Sequence, residues 1–167
     1  MGERGEAGKL LFAAIEDSTR ASGQRQGPSW NTLLGAAATS AQIGFPERAQ
    51  GYLLDALQQA ENERSLQGKL QVVTKMALLH QAAGEWAEAE LRISQGLDLV
   101  SQIGDRTSRA ELLLSLGRLR RISGDVEGAR HFLDDALRIC TKLDWAEGAM
   151  MVQQESEMLR FAVPQSL

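Results

Sequence analysis

Apolar residues recur three and four apart along most of this chain, and the same arrangement returns about every 40 residues. Between Ala110 and Leu137, Leu113, Leu116 and Gly117 precede a Gly124-Asp125 pair, and Ala129, Leu133, Ala136 and Leu137 follow it. One period earlier stand Gly84, Glu85, Ala89, Ile93, Gly96 and Leu97, and one before that Gly44, Ala49, Leu53, Ala56 and Leu57. Residues at this spacing share one face of a helix, so each run predicts an amphipathic helix. The glycine between two runs marks a tight connection. Three in-register copies of one helix–turn–helix unit define a repeat protein, whose units bury one another's apolar faces.

Taken in order, the chain opens with a polar lead, Met1 to Glu6. A helix is expected over 7–22, where Ala7, Leu11, Ala14 and Ile15 echo Ala49, Leu53, Ala56 and Leu57. It is the second helix of a repeat whose first helix is missing, so the chain is expected to begin inside a larger array. Pro28 opens the next helix, because a first turn has no use for the amide that proline lacks. Repeats then occupy 29–63, 66–103 and 107–143, with Pro46 starting the second helix of the first. Ser108 and Glu111 form an S-x-x-E capping box, Asp125 caps the helix Val126–Lys142, and Asp144 with Glu147 repeats the box for a last helix over 145–162. There Gln153, Ser156 and Glu157 replace Leu113, Leu116 and Gly117. Polar residues at those places suit a capping helix; a degenerate repeat of a longer protein is the other reading. No stretch alternates as a strand would. With no linker or low-complexity tract, 1–167 reads as a single domain.

The skeleton resembles the tetratricopeptide repeat, which sets a large then a small residue in its first helix, a Gly-acid turn, and a small–large–small pattern in its second. Leu116-Gly117, Gly124-Asp125 and Ala129…Leu133…Ala136 fill those places in the third copy. Met76-Ala77, Gly84-Glu85 and Ala89…Ile93…Gly96 fill them in the second, and Ala36-Ala37, Gly44-Phe45 and Ala49…Leu53…Ala56, more loosely, in the first. The family's usual period is about 34 residues, and Glu61, Ser101 and Thr141 stand where its terminal proline belongs. Helices longer by about one turn account for both departures, as in the long repeats of MalT-type activators, kinesin light chains and spindle-orientation adaptors. HEAT-like repeats share the period, but small residues at the crossing points (Gly117, Ala129, Ala136) favour the tetratricopeptide reading. The resemblance implies an all-α fold: a right-handed superhelical array of antiparallel helix pairs, a TPR-like α-solenoid of about 3.5 repeats and eight helices.

Composition narrows the function. A formal net charge of −4 argues against a nucleic-acid surface, which needs clustered positive charge. Aromatics are only 5% of residues, so Leu and Ala must do the packing. Cys140 is the single cysteine, which excludes an internal disulfide, and no apolar run is long enough to span a bilayer. A cytoplasmic protein without a membrane association is expected.

Chemistry-bearing constellations are scarce. His80 and His131 lie in different repeats; the first reads as a partly buried packing residue and the second as a surface residue. Cys140 aligns with Val100 and Ala60 and reads as a small core residue. Asp134-Asp135 and Glu61/Glu63 have no histidine or cysteine at ligand spacing, and the glycines form no phosphate-binding loop. No catalytic residue, metal or cofactor is expected. Arg118, Arg120 and Arg121 form the one basic cluster, either a solvated helix face or a grip on an acidic group.

What the resemblance implies instead is a groove along the stacked first helices. Its inward positions would be Asn31, Leu34, Ala38, Ala41 and Gln42 in the first copy, and Gln71, Thr74, Leu78 and Gln81 in the second. The third would give Glu111, Leu114, Arg118 and Arg121, and the last helix Met151, Gln154, Met158 and Phe161. Leu34, Leu78, Leu114 and Met158 would make an apolar floor, suited to a peptide or helix. The lysine–asparagine clamp of chaperone-type members is not expected, since Gly35, Lys75 and Ser115 stand at the asparagine place. The expected function is a non-catalytic protein-interaction module; the alternative is a regulatory domain, cut from a larger signalling or transcription protein, that senses a peptide or small ligand. An enzyme is the rival from another class. Leu10, Leu11 and Phe12 spread across about 200° of their helix, which calls for a covering partner. A homodimer through this helix is expected, against a monomer in which Phe12 folds back on the polar lead; Met150, Met151 and Phe161 offer a second surface.

Overall fold

The computed structural model describes residues 28–162 together with Leu10, Ala13, Ala14 and Asp17. Among the described residues it holds seven helices and no strand: α1 (Trp30–Gln42), α2 (Pro46–Asn62), α3 (Leu66–Ala83), α4 (Trp86–Ile103), α5 (Arg106–Ile122), α6 (Val126–Lys142) and α7 (Ala146–Ala162). An eighth was expected over 7–22. Only Leu10, Ala13, Ala14 and Asp17 are described there, all four helical and exposed, so that helix and the dimer expected through Leu11 and Phe12 lie outside the described residues.

The turns repeat at half the sequence period. Gly44, Gly84, Gly104 and Gly124 have φ of 86°, 77°, 80° and 82°, and Arg64 and Asp144 take φ of 53° and 52°. A left-handed residue therefore stands at every twentieth position from 44 to 144. It follows the last helical carbonyls, and at four of the turns a Schellman pair of bonds satisfies them, while Gly104 makes the single bond to Val100 O at 2.8 Å. Gly44 N–H donates to Ala41 O at 3.2 Å and Phe45 N–H to Ser40 O at 2.8 Å. The second of these, spanning five residues, recurs from Ser65 to Ala60, Asp125 to Arg120 and Trp145 to Cys140. The residue after the left-handed one is also the N-cap of the next helix, so two helices are joined with almost nothing between them.

Ser29 caps α1, its Oγ accepting from Thr32 N–H at 3.3 Å, so that helix starts just past Pro28, which was expected to open it. The sharing shifts two expected caps. Asp105 caps α5: its Oδ1 accepts from Ser108 N–H at 3.1 Å, and Ser108 Oγ donates to Oδ2 at 2.7 Å. Ser108 and Glu111 therefore lie inside the helix, which begins one turn earlier than their pattern implied. Asp144 is the left-handed residue after α6 rather than a cap. Asp125 caps α6 as expected, accepting from Gly128 N–H at 2.9 Å.

The chain divides into two compact units, Met1–Gly84 and Glu85–Leu167. The cut falls at the turn inside the second expected repeat. In the first unit α1 and α3 both pack on α2 and touch one another. Leu33, Leu34, Ala37, Leu53, Ala56, Val72 and Met76 form the core, with Trp30, Tyr52, Leu57 and Leu79 around it. Trp30 lies so close over Gly68 that a Cβ there would come within 2.9 Å of the indole.

In the second unit α5 packs on α4 and α6, and α7 packs on α6 and α5. Leu113, Leu114, Leu133, Val152 and Leu159 dominate its core. A Cβ on Gly117 would stand 2.7 Å from Leu133 Cγ and 3.4 Å from the Ala129 carbonyl, so α5 and α6 cross where the repeat register placed them. Gly96 plays the same part against Leu112, at 3.0 Å. The second-helix stripes are superimposable in sequence: Ala49, Leu53, Ala56 and Ala60 are buried in α2, Ala89, Ile93, Gly96 and Val100 in α4, and Ala129, Leu133, Ala136 and Cys140 in α6. Small residues let the helices approach, and the large residue second in each stripe (Leu53, Ile93, Leu133) gains about 1.5–3 kcal/mol on burial. No helix of the described residues is long and apolar enough to cross a membrane.

Candidate functional site

In the first unit the exposed faces of α1 and α3 form an open surface with a pocket in it. Ala37, Ala38 and Ala41 wall it from α1, Lys75, Leu78, Leu79 and Ala82 from α3, and Ala49 and Leu53 of α2 close its base. The sequence makes this space directly: alanine side chains on facing helices are too short to meet across it. The pocket holds about 230 Å³. An apolar cavity of about 150 Å³ already takes a benzene-sized group. Alanine also loses no rotamer freedom on contact, so the alanine part of the wall has none to lose when something binds. Leu78 remains 42% exposed beside it.

Electrostatics give this surface a sign opposite to that of the whole chain. Against 22 acidic residues overall, α1 and α3 carry no Asp or Glu, while α3 carries Lys69 and Lys75. Lys69 Nζ lies 3.8 Å from Glu61 of α2. Lys75 is exposed and has no hydrogen bond or ion pair among the described residues. On the same helix Gln81 Nε2 is buried without a hydrogen-bond partner among the described residues.

The second unit holds a charge cluster of a different kind. Glu155 of α7 is 3% exposed. Arg118 Nε donates to its Oε2 at 3.0 Å and Arg121 Nε to its Oε1 at 2.5 Å. The arginines do grip an acidic group, and it belongs to the chain itself. Arg120 turns away to pair with Glu90 and approaches Asp125 at 3.9 Å. A signal for Glu155 existed in the sequence. Gly148, Val152, Glu155 and Leu159 are spaced as a second-helix stripe is, so the one charge falls on a buried face. A buried carboxylate requires cations.

The expected groove residues fare unequally. Ala38, Ala41 and Leu78 meet at the pocket, while Asn31, Gln42 and Gln71 are exposed. Thr74 spends its hydroxyl on Leu70 O at 2.8 Å. Leu34 and Leu114 are not a floor open to a partner: at 9% and 6% exposure both belong to the cores, because first helices are covered from two sides. Glu111 is exposed on α5. Met151 and Met158 stand half-open on α7 at 43% and 44%, with Met150 and Phe161 at 70% and 90%. Lys75, Leu79 and Ala82 were not singled out for the groove.

His80 is 6% exposed and His131 is at the surface, its ring 5.5 Å from that of Phe132. Cys140 is 1% exposed, and burial, with a smaller contribution from the Glu111 carboxylate, pushes its thiol above the usual 9.0. A raised pKa leaves less thiolate to react.

Comparison with known proteins places this fold. Residues 69–142, somewhat under half of the chain, match the family model of the tetratricopeptide repeat. Among solved structures, BtubC (BKLC) from P. vanneervenii is similar at a TM-score of 0.76 and 17% identity, covering 96% of this chain and 66% of that one. A Rap protein complexed with Competence and Sporulation Factor is similar at a TM-score of 0.56 and 15% identity, covering 96% of this chain and 48% of that one. The chain therefore spans about two thirds of the one and half of the other. No curated protein matches it significantly in sequence. The tetratricopeptide resemblance rests on the sequence over those residues and on the helical repeat fold throughout.

Proposed function

We propose that this chain is a protein-interaction module that takes a peptide or helical segment of a partner along the exposed face of α1 and α3. The observation that carries the reading is the open apolar surface of Ala38, Ala41 and Leu78 with its preformed pocket. An apolar concavity rimmed by polar groups is a common form of a recognition site. The tetratricopeptide match agrees, since that repeat is typically an interaction scaffold rather than an enzyme. Helices of 17 and 18 residues fit the long-repeat variety of the family. An acidic chain with one cysteine fits the cytoplasm.

A second reading, a regulatory domain that senses a peptide or small ligand through the same face, is supported by the likeness to the Rap protein solved with its bound factor. Photocrosslinking tests both. With benzoylphenylalanine at Ala38, peptides selected on the folded protein should crosslink strongly, and at Asp98, an exposed site on α4, they should not. Equal labelling from the two positions would show that the face is wrong.

A further inference from the structure

We infer, resting on that reading, that the pocket between α1, α2 and α3 seats one bulky apolar side chain of the bound segment and that Lys75 pairs with a carboxylate next to it. The partner is therefore an acidic, apolar peptide. Two independent features select it. The volume of about 230 Å³, walled by alanines, admits a leucine- or phenylalanine-sized group. The charge is equally specific, because the helices forming the mouth hold lysines and no carboxylate in a chain of net charge −4. A basic peptide would meet Lys75 as a like charge, while a carboxylate beside the buried group would meet a cation with no other partner among the described residues. Desolvation of the apolar group gives affinity, and the lysine fixes the direction of the peptide across the helices.

Selection from a random dodecapeptide phage library on the folded protein tests this. Peptides pairing Leu, Ile, Met or Phe with an adjacent Asp or Glu should dominate. A synthetic peptide of that sequence should lose about tenfold in affinity on Ala41→Phe, which fills the pocket from an exposed position, and a similar factor on Lys75→Glu. Changing the peptide's acid to lysine should restore binding to Lys75→Glu, a rescue that a misfolded variant could not give. Selected peptides without the acid, or binding indifferent to Ala41→Phe, would overturn the inference and leave the interaction module standing. Failure to select any peptide would count against both. A change of oligomeric state on Ala41→Phe, read by light scattering, would overturn it in favour of a second copy as occupant.

Discussion

Replacing Arg118 and Arg121 together by methionine should harm the protein far more than removing the acid that they hold. The asymmetry follows from exposure: the Glu155 side chain is 4% exposed, whereas those of Arg118 and Arg121 are 41% and 23% exposed. Without the arginines a carboxylate is left almost fully buried between α5 and α7 with no cation to hold it. Breaking a buried pair from one side costs about 3–5 kcal/mol. The partial exposure of both arginines puts this case near the lower end, at about 3 kcal/mol. At about 2–4 °C per kcal/mol for a chain of this size, Tm should fall about 6–12 °C. Glu155→Met leaves two arginines that can swing their heads into solvent while their stems stay packed, so it should cost about 1 kcal/mol or less. Either arginine changed alone should fall between, since the other still holds the acid. Urea unfolding at pH 7 of the four variants and the parent measures the free energies, and thermal melts of the same proteins measure Tm. If Glu155→Met loses as much as the double arginine variant, the cluster is a mutual pair in water and the burial argument fails.

Arg64→Gly should stabilise by about 0.5–1 kcal/mol, because a left-handed residue with a Cβ costs about 1–2 kcal/mol and glycine returns part of that as entropy of the unfolded chain; Asp144→Gly should gain less, and a lower urea midpoint for Arg64→Gly would refute the turn geometry. Gly117→Ala should destabilise by about 0–2 kcal/mol, the clash with Leu133 outweighing about 1 kcal/mol of helix propensity, whereas Gly51→Ala, with open space around it, should gain that propensity outright. Leu114→Asp should unfold the second unit while Leu78→Asp shifts Tm little, as circular dichroism melts would show. The Cys140 thiol should react with Ellman's reagent only on unfolding. Its folded pKa is raised, so its contribution to stability is complete below about pH 9 and is lost as pH rises beyond it, a decline that Cys140→Ala should abolish.

The second helices were legible because they bury one narrow stripe. Ala129, Leu133, Ala136 and Cys140 could be read by period alone, and so could their counterparts in α2 and α4. First helices are covered from two sides, and α5 buries Leu112, Leu113 and Leu114 in succession. Period then no longer says which leucine at the edge of the arc faces solvent, which is how Leu34 and Leu114 came to be expected in a groove. The caps were misplaced for a local reason: the S-x-x-E of Ser108 is a valid pattern one turn downstream of a better one, Asp105. The pocket has no pattern at all. It is the space left by Ala37, Ala38, Ala41 and Ala82, and a missing volume becomes visible only when the facing helices are in place.

The even spacing of left-handed residues from Gly44 to Asp144 sets the grammar by which such a chain can be edited. Each joint turns on a left-handed residue at the same twentieth place, whether it leads out of a first helix or a second, so cutting and rejoining at two joints keeps that turn. What differs is parity. Removing one unit of 20 would bring two like-facing helices into sequence and turn every stripe beyond the splice away from its mate. Removing two restores both direction and face. The chain can therefore lengthen or shorten only in pairs of helices, although every joint would accept a single one.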